Sequence, residues 1–573
     1  MARAVESAWI DWELEAPATR PQIEVPRDQS HGDFSTNAAM VFAKSAKRPP
    51  REIAEAILEK LDAPSSLIES SPEIVGPGFI NFRVAPAAWL ESIPSIIEAG
   101  EKYGCSDIGA GERVMVEFVS ANPTGPLHIG HARNAAIGDT YARILDTAGY
   151  NVSKEFYIND AGNQVETLAK TVHARRLEKN GVKIEWEKTF PDGNYYPGDY
   201  VLEIAENMPV SEDEKEAFMK IPPGGYDPLE RRFAVEKMLN GIKKDLADFR
   251  VEFDVWFSEY EELYKKDLSR EVMEKLRDQD DIYEKDDAVW FKVAKYEPDE
   301  EDRVVKKSTG EWTYFASDIA YHWEKLRRGF ERLVNVWGAD HHGYIGRVRA
   351  SLQALGLSPD KLEVLLVQMV NLVRGGEPVR MGKRTGEFIT LREVMDEVGA
   401  DAMRFTFLTR SSNSHLDFDI DILKAKPGED SELKMSQLRE KNPVYYVQYA
   451  HARAKSIFRK AIERGSAPDS HLDADLSLLT LPEEIGLARK IEGFPREVAI
   501  SAANVEPHRI SHYLIEVAGD FHRYYYLGDR DPLCRVITDD MKVRGARLAL
   551  VAAVAQVIRN GLRLLGVEAP ERM

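Results

Sequence analysis

The stretch 115–141, MVEFVSANPTGPLHIGHARNAAIGDTY, decides the fold of this chain. It begins with an apolar, β-branched run that predicts a buried strand. Two turn signals, Asn122-Pro123 and Gly125-Pro126, end that strand. The small residues that follow predict a helix packed closely against the strand. A strand, a tight turn and a helix in this order indicate an α/β fold built on a parallel sheet.

Two histidines, His128 and His131, lie three residues apart at the start of the predicted helix. Side chains at that spacing project from one helix face. They lie beside unsatisfied N–H groups and the positive end of the helix dipole. The pair therefore predicts an anion site, although two histidines could also simply cap and pack the helix. Their position directly after a Pro/Gly turn favours the anion site.

Composition describes an ordinary globular chain of about three or four domains. Hydrophobic residues make up 43% and charged residues 30% of the 573 residues, and no apolar run is long enough for a membrane helix. The two cysteines, Cys105 and Cys534, support neither a disulfide framework nor a zinc site, so a reducing cytoplasm is expected. The net charge of −20 argues against nucleic acid, but the part from Leu433 onward carries about +3.

Residues 1–108 are predicted to form a separate small α/β domain. The segment Pro50–Leu61 has apolar residues at helical spacing after a proline start. Gly32, Asp33 and Phe34 lie in a polar loop that precedes a helix. An exposed Phe34 could stack on an unpaired base, and the alternative is a turn with a packed aromatic side chain.

Residues 109–424 are predicted to contain the parallel sheet. Lys154–Gln164 predicts the second strand of a βαβ unit. The charged, helix-rich residues 165–300 are interpreted as an insertion into the sheet. Trp312–Asp318 and Leu333–Gly338 predict two further strands. Open α/β sheets bind ligands just past the carboxyl ends of their strands, so polar residues there are candidate ligands.

Four such residues, Asp318, Asp340, His341 and His342, are expected at the same sheet edge as the two histidines of the first helix. Asp340, His341 and His342 could instead form a metal site. No further Glu or His at ligand spacing supports one, so the metal interpretation is the weaker alternative.

A basic loop follows another predicted strand and the Gly375-Gly376 turn. It carries three cations in five residues, Arg380, Lys383 and Arg384. A glycine-flanked loop with this charge suits polyphosphate. The alternative is an exposed basic hairpin.

From residue 425 to 573 the composition predicts an all-α bundle. Its first long helix, Asn442–Ala461, interleaves aromatic and basic residues, among them Tyr445, Tyr449 and Arg453. Basic and aromatic side chains on one helix favour single-stranded RNA loops. The tyrosines are equally compatible with a helix core.

Together these segments resemble bacterial-type arginyl-tRNA synthetases, which are class I aminoacyl-tRNA synthetases. The resemblance covers nearly the whole chain, and several independent matches occur in the right order. It implies a multidomain α/β protein with a Rossmann-like parallel-sheet catalytic core, a small α/β N-terminal domain at the outer corner of tRNA, and an all-α anticodon-binding bundle. The matching segments are HGDFSTNAAM, VEFVSANPTGPLHIGHARN, EFYINDAGNQ, WTYFASDIAYH, VWGADHHGY, LVQMVNLVRGGEPVRMGKRTGEF, RFTFLTRSSNSHLDFDID and GVEAPERM.

The resemblance implies a ligase that joins L-arginine to tRNA(Arg) through an arginyl-adenylate, with ATP giving AMP and diphosphate. ATP would enter as its Mg²⁺ complex, without zinc and without a dedicated metal site in the protein. A cytoplasmic monomer with no membrane contact is expected. The alternatives are a non-catalytic tRNA-binding paralogue and another nucleotidyltransferase with a His-Ile-Gly-His signature.

The resemblance also assigns roles to individual residues. Catalysis is assigned to His128, His131, Lys383 and Arg384. ATP binding is assigned to Pro123, Gly125, His128, Gly130, His131, Asp340, Met381 and Lys383. Arginine binding is assigned to Glu117, Asn122, Tyr314, Asp318 and His341. The N-terminal resemblance places Gly32, Asp33 and Phe34 in contact with tRNA. For Tyr445, Tyr449 and Arg453, contact with tRNA is expected from the aromatic and basic pattern of their helix. One departure is Gly382, where the family pattern usually has serine, so a hydroxyl contact is lost.

Overall fold

The structure is a computed structural model that describes residues 2–12, 22–26, 28–64, 66–209, 212–379, 389–424, 435–467 and 469–573. The N-terminal part packs helices on a small antiparallel sheet of strand order β1-β3-β2. Its elements are α1 (Ala2–Asp11), β1 (Phe34–Thr36), α2 (Ala38–Ala46), α3 (Pro50–Glu59), β2 (Glu73–Val75) and β3 (Phe79–Phe82), followed by the connecting helices α4 (Pro86–Leu90) and α5 (Ser92–Ala99).

The middle part is built on a parallel sheet. Its first half contains β4 (Arg113–Glu117), α6 (Ile129–Thr147), β5 (Asn151–Ile158), α7 (Asn163–Lys179), α8 (Trp186–Thr189), α9 (Asp199–Asn207), α10 (Glu212–Phe218), α11 (Pro228–Asp248), β6 (Val255–Ser258), α12 (Leu268–Asp278), β7 (Ile282–Lys285), β8 (Ala288–Phe291) and β9 (Arg303–Lys306). Its second half contains α13 (Tyr314–Arg327), β10 (Arg332–Gly338), α14 (Ile345–Ala354), β11 (Leu362–Val367), β12 (Val370–Arg374), β13 (Glu377–Pro378), α15 (Leu391–Val398), α16 (Ala400–Phe407), β14 (Leu416–Asp419) and α17 (Ile420–Lys424).

Within the described residues the parallel sheet has the strand order β11-β10-β4-β5-β6. The chain starts in the middle at β4, runs outward through β5 to β6, and then crosses to β10 and β11 on the other side. The order therefore reverses between β4 and β10. Ligands bind outside the carboxyl ends of the strands at such a switch point, which is where the two histidines after β4 and the Asp-His-His sequence after β10 lie. The predicted parallel-sheet core is confirmed.

The strand predicted over Trp312–Asp318 is wrong, because helix α13 begins at Tyr314. The aromatic run at the start of the segment favoured a strand. The residues that are buried, however, are Phe315, Ala316, Ile319 and Ala320, which have helical spacing. Asp318 consequently projects from the second turn of a helix, one turn beyond Tyr314.

The interpretation of 165–300 as one insertion is also wrong in one respect. Val255–Ser258 pairs in parallel with β5 and forms the edge strand of the main sheet. Helices α7–α11 therefore precede the edge strand, and α12 with the antiparallel sheet β7-β8-β9 follows it. The strand was overlooked because it is short and lies between charged helices.

Helix α6 is the central helix of the core and is buried over most of its length. Its small residues allow close contact with the sheet: a Cβ added at Gly138 would lie 2.3 Å from Cγ of Phe118. The helix begins at Ile129, two residues later than the sequence indicated.

The C-terminal part is helical, as predicted. Its helices are α18 (Met435–Lys441), α19 (Pro443–Glu463), α20 (Pro482–Glu492), α21 (Phe494–Asn504), α22 (His508–Arg530) and α23 (Met541–Leu564). No helix in the described ranges is both long and apolar enough to cross a membrane.

A buried ion-pair cluster joins this helical part to the sheet. Asp139 of α6 accepts hydrogen bonds from Arg404 at 2.5 Å, Arg143 at 2.8 Å and Lys154 at 3.2 Å. Arg404, fully buried, also donates to the carbonyl oxygens of Leu565 and Phe249. Burial raises the pKa of Asp139, but the three cations outweigh it and hold that pKa below its usual value.

Replacing Gly138 with alanine is expected to destabilise the fold by about 1–3 kcal/mol, because the new methyl group overlaps Phe118. The urea midpoint of unfolding, followed by far-UV circular dichroism, measures the change. Gly241→Ala in α11 is the matched control, since its Cβ meets nothing within 4 Å. That variant should gain up to about 1 kcal/mol from helix propensity, and equal midpoints for the two variants would contradict the packing argument.

Candidate active site

The turn between β4 and α6 has an unusual backbone that other elements hold in place. Val119 and Ser120 have positive φ angles of 67° and 41°, a region that residues with a Cβ rarely adopt. The Val119 N–H donates to the Asn134 side chain at 2.6 Å. Asn134 in turn donates to the carbonyl oxygen of Val336 in β10 at 2.9 Å. Strained turns held by several partners are typical of functional sites.

His128 and His131 close the N-terminus of α6 with a reciprocal capping arrangement. His128 Nδ1 accepts from the Gly130 N–H at 3.1 Å, and His131 Nδ1 accepts from the His128 N–H at 3.3 Å. The two rings stack with their centroids 3.7 Å apart. Because both Nδ1 atoms accept, a ring proton must lie on Nε2. A Cβ at Gly130 would lie 3.0 Å from His128 Cε1, so the glycine makes room for this ring.

The residues that follow the basic loop contact the residues around His128. Thr390 pairs with His128 in an isolated antiparallel bridge, and the Leu391 N–H donates to the Leu127 carbonyl oxygen at 2.7 Å. The loop residues assigned to catalysis and ATP binding, Met381, Lys383 and Arg384, lie outside the described residues, as does Gly382.

Three carboxylates come close together near the carboxyl ends of β4 and β6, and the place that they surround is called the pocket below. Glu117 is the last residue of β4, Glu259 follows β6 directly, and Asp318 projects from α13. Glu117 and Glu259 are 7% and 6% exposed. The Tyr344 side chain forms a hydrogen bond with Asp318. The side chains of Ser317 and Tyr157 form hydrogen bonds with Glu259.

Two of the three carboxyl groups are poorly stabilised as anions in this pocket. Burial raises the pKa of Asp318 to about 7; the charges of Glu117 and Glu259 add to the rise, while Tyr344 and Lys325 oppose it. Burial also raises the pKa of Glu259 to about 7, against the hydrogen bonds from Ser317 and Tyr157. Buried, mutually repelling carboxylates are stabilised by a cation, and a planar guanidinium offers several donors at once.

Three of the residues assigned to arginine, Glu117, Asn122 and Tyr314, have the following surroundings. Glu117 pairs with Lys325 at 2.6 Å and accepts from Ser120 at 2.9 Å. Asn122 donates to the Gln164 side chain at 2.6 Å. Tyr314 is 55% exposed, and a Cβ on Gly162 would lie 3.7 Å from its hydroxyl.

Asp340 and His341 lie in a short 3₁₀ helix directly after β10. Their side chains are largely exposed, with His341 Nε2 3.8 Å from the Asp340 carboxylate. Among the described residues no group of three or more His, Cys, Asp or Glu side chains is arranged to hold a metal ion.

The turn residues assigned to ATP are covered by the first inserted segment. Pro123 is buried and Gly125 is partly exposed. The Tyr200 hydroxyl donates to the Thr124 carbonyl oxygen at 2.8 Å and lies 3.5 Å from a Cβ placed on Gly125. The segment between β5 and β6 thus packs directly on the turn before His128.

The N-terminal residues assigned to tRNA pack within their own domain, and Asp33 also contacts the helical part. Asp33 pairs with Arg489 of α20 at 2.7 Å and accepts from the Val84 N–H at 2.8 Å. The Phe34 ring, only partly exposed, lies 6.0 Å from the Trp89 ring. Gly32 has a φ of 100°, and a Cβ there would meet the Phe82 carbonyl oxygen. The packed-aromatic alternative describes this geometry better than an exposed stacking platform.

The helical part presents an aromatic and basic cluster on α19 and α22. Tyr445 and Tyr449 stack 6.0 Å apart, and the Arg453 guanidinium lies 4.7 Å from the Tyr449 ring. Arg453 also donates to His522 at 2.8 Å and to the Tyr526 hydroxyl at 3.0 Å. The cluster is partly exposed, so one side is available to a further ring.

Three residues of the pocket, Glu259, Tyr344 and Lys325, were not found from the sequence. Glu259 follows Val255–Ser258, and recognising that short aromatic strand would have placed its carboxylate at the ligand edge. Lys325 lies seven residues after Asp318 on α13, on the same helix face, but the strand assignment hid that periodicity.

Comparisons with known proteins agree over all three parts of the chain. Residues 1–84 match the family described as "Arginyl tRNA synthetase N terminal domain". Residues 92–413 match "tRNA synthetases class I (R), catalytic domain", and residues 447–573 match "DALR anticodon binding domain".

Individual relatives match from end to end. The arginine–tRNA ligase of Solidesulfovibrio magneticus is 46% identical over 574 residues, which cover 100% of this chain and 98% of that protein. That of Geobacillus kaustophilus is 47% identical over 554 residues, with 96% and 94% covered.

Solved structures agree with these relatives. One described as an arginyl-tRNA synthetase from Campylobacter jejuni superposes with a TM-score of 0.72 at 31% identity and covers 86% of this chain and 100% of its own. The Thermus thermophilus arginyl-tRNA synthetase, at 23% identity, has a TM-score of 0.76 over 100% of this chain and 99% of its own, which supports the fold. With more than half of the chain matched by the catalytic-domain family, this protein belongs to the arginyl-tRNA synthetases, a family of class I aminoacyl-tRNA synthetases.

Proposed function

We propose that this enzyme attaches L-arginine to tRNA(Arg) in two steps. The single observation that carries the proposal is the pocket in which Asp318 and Glu259, both with pKa values raised to about 7, lie close together. A guanidinium there supplies the missing cation and can bond to both carboxylates. Full-length relatives with 46% and 47% identity and the same printed activity support it.

In the first step a carboxylate oxygen of arginine attacks the α-phosphorus of ATP. The new P–O bond forms as the bond to the β-phosphate breaks, and diphosphate leaves with its electron pair. In the second step a hydroxyl of the 3′-terminal ribose attacks the carbonyl carbon, the acyl–phosphate bond breaks, AMP leaves, and the hydroxyl proton is lost. The protein does little covalent chemistry itself, so it accelerates the reaction by positioning the substrates and by stabilising developing charge.

His128 and His131 act on the phosphates as hydrogen-bond donors. Their Nδ1 atoms accept hydrogen bonds at the helix N-terminus, so the proton of each neutral ring lies on Nε2. The donors strengthen their bonds as charge moves onto the phosphate oxygens. Lys383 and Arg384 neutralise the departing diphosphate, together with the Mg²⁺ that arrives on ATP. The nucleotide is lined by Pro123, Gly125, Gly130 and Asp340. The family resemblance adds Met381, which lies outside the described residues.

Asp318 and Glu259 select arginine over lysine. A guanidinium has five donors in a plane and can bond to two carboxylates, whereas an ammonium is a single point charge. With lysine, part of this buried negative charge stays unpaired, which is costly. Glu117 and Asn122 hold the amino and carboxylate end, with Tyr314 and His341 at the rim.

The remaining parts bind tRNA. The Tyr445–Tyr449–Arg453 cluster offers rings and a cation to unpaired anticodon bases, which stack on such surfaces. Gly32, Asp33 and Phe34 shape the N-terminal part that meets the outer corner of the tRNA, and their packing makes this role indirect. The enzyme acts as a cytoplasmic monomer.

The proposal is tested by charging total tRNA with each of the twenty amino acids in parallel. Arginine alone should be attached, because only a guanidinium satisfies both pocket carboxylates. Charging with another amino acid would refute the specificity. Absence of all charging would favour the non-catalytic paralogue, and adenylate formation that transfers to no tRNA would favour another nucleotidyltransferase.

Asp318→Asn and Glu259→Gln should each raise the KM for arginine roughly 10- to 100-fold, the worth of a hydrogen bond to a charged group. The KM for ATP should stay within about twofold, since neither residue is assigned to the nucleotide. Steady-state aminoacylation with each substrate varied in turn measures both constants. Glu261→Gln, an exposed neighbour paired with Lys265, is the control and should behave as wild type. Equal losses for both substrates would contradict the assignment.

The KM for arginine should fall as the pH rises from about 6 to 8. The largest fall expected is roughly tenfold per pH unit for each proton released. Asp318 and Glu259 are protonated below their pKa of about 7 and must ionise to bind the guanidinium. Folding raises the pKa of these two carboxyl groups. The free energy of unfolding of the ligand-free protein therefore falls as the pH rises towards 7.

Arginine removes that cost, so the Tm increase it produces should be larger at pH 8 than at pH 6. Differential scanning fluorimetry with equal concentrations of arginine or lysine measures this, lysine being the control. An arginine KM and a Tm shift that do not vary between pH 6 and 8 would contradict the role of these two groups.

A further inference from the structure

A row of buried polar side chains crosses the sheet beneath the arginine pocket. In the strand register Glu117 pairs with Asn335 of β10 on one side and with Glu155 of β5 on the other. Paired residues of neighbouring strands point to the same face. Asn335 and Glu155 are fully buried and Glu117 is 7% exposed. Polar groups in such a place require partners.

Helix α13 supplies those partners from one face. Asp318, Tyr321, His322 and Lys325 have the spacing i, i+3, i+4 and i+7. The Tyr321 hydroxyl donates to Glu155 at 2.5 Å. The same face that presents Asp318 to the guanidinium therefore also covers the polar row.

Lys325 has three partners and no exposed surface. Its Nζ donates to Glu117 Oε2 at 2.6 Å and to Asn335 Oδ1 at 3.2 Å, and it lies 4.1 Å from the centroid of the Tyr321 ring. Three directions match the three N–H groups of an ammonium. A lysine thus fits this place without an unpaired donor.

The neutral His322 fixes the orientation of this arrangement. Asn335 donates its amide N–H to His322 Nε2 at 2.7 Å, so the ring proton lies on Nδ1 and is donated to the Asp318 carbonyl oxygen at 2.7 Å. Burial lowers the pKa of His322 to about 3, in keeping with a neutral ring. Asn335 must therefore turn its oxygen towards Lys325. Because His322 is neutral, the positive charge in this chain of hydrogen bonds belongs to Lys325.

Stability alone does not account for a charged pair in this position. Buried ion pairs can often be replaced by apolar residues without loss of stability, because desolvation offsets the attraction. What the pair does is to fix Glu117: one carboxylate oxygen is held by Lys325 and the other by Ser120 at 2.9 Å. Each oxygen keeps a second lone pair for a ligand.

We propose that Lys325 is a positioning residue for arginine, which orients Glu117 towards the substrate α-amino group and offsets one of the three carboxylate charges of the pocket. The inference rests on the proposed function, since it takes arginine as the substrate. Asp318 and Glu259 then remain as the pair that the guanidinium neutralises. The positive charge of Lys325 also opposes the rise in the pKa of Asp318 that the neighbouring carboxylates cause.

Lys325→Met removes the charge and keeps most of the side-chain volume. The KM for arginine should rise roughly tenfold or more, the cost of losing a charged hydrogen-bond partner, with the KM for ATP within about twofold. The pH at which the arginine KM levels off should move upward, because Asp318 loses a stabilising cation. Lys275→Met is the matched control: Lys275 belongs to α12, and its ammonium lies 5.4 Å from the ring of Trp323 on α13.

A double-mutant cycle with Glu117→Gln separates positioning from folding. If Lys325 acts through Glu117, the double variant should have the same arginine KM as Glu117→Gln alone. The double variant also carries no uncompensated buried charge, so it can still be measured if Lys325→Met alone folds poorly. An effect of Lys325→Met that adds in full to that of Glu117→Gln would overturn the proposal. A lower Tm with an unchanged arginine KM and pH profile would also overturn it. Charging of arginine by the wild-type enzyme tests the proposed function separately.

Discussion

The architecture depends on the buried carboxylate of Asp139, which binds three cations from different elements. Arg143 lies on the same helix, Lys154 belongs to β5, and Arg404 reaches from α16 to the end of the C-terminal helix. Removing one member would leave charge unpaired in the interior, which is far more costly than never having buried it. The cluster therefore holds helix α6, with the histidine pair at its other end, in one position relative to the sheet and the helical part.

Two electrostatic environments meet at the switch point of the sheet. On one side the histidine pair and the helix N-terminus present donors for phosphate oxygens. On the other side Glu117, Glu259 and Asp318 present acceptors for the two cationic groups of the proposed substrate, the α-amino group and the guanidinium. The chain carries a net charge of −20, yet the local arrangement decides what binds where. Because Glu117 and Glu259 are nearly closed to water, their charges act at a lower effective dielectric than charges on the surface.

Sequence reasoning succeeded where the signal is local. The strand, turn and helix around His128 follow from a β-branched run, two Pro/Gly turns and small residues, and the structure has them within two residues. It failed at Trp312–Asp318, where aromatic residues favoured a strand although the buried positions repeat at helical spacing. It also missed Val255–Ser258, because a strand of four residues shows too few alternations to stand out from charged helices.

The sequence by itself determined the family, the parallel-sheet core and the position of the histidine pair at the start of α6, because these depend on short runs of residue types that are informative locally. Only the tertiary structure decided which residues share a pocket. Glu259 joins Asp318 through strand pairing, Lys325 meets Glu117 across 208 residues, and Asp33 is held by Arg489. Contacts between distant segments depend on register and helix orientation, and one residue of register turns a side chain to the opposite face.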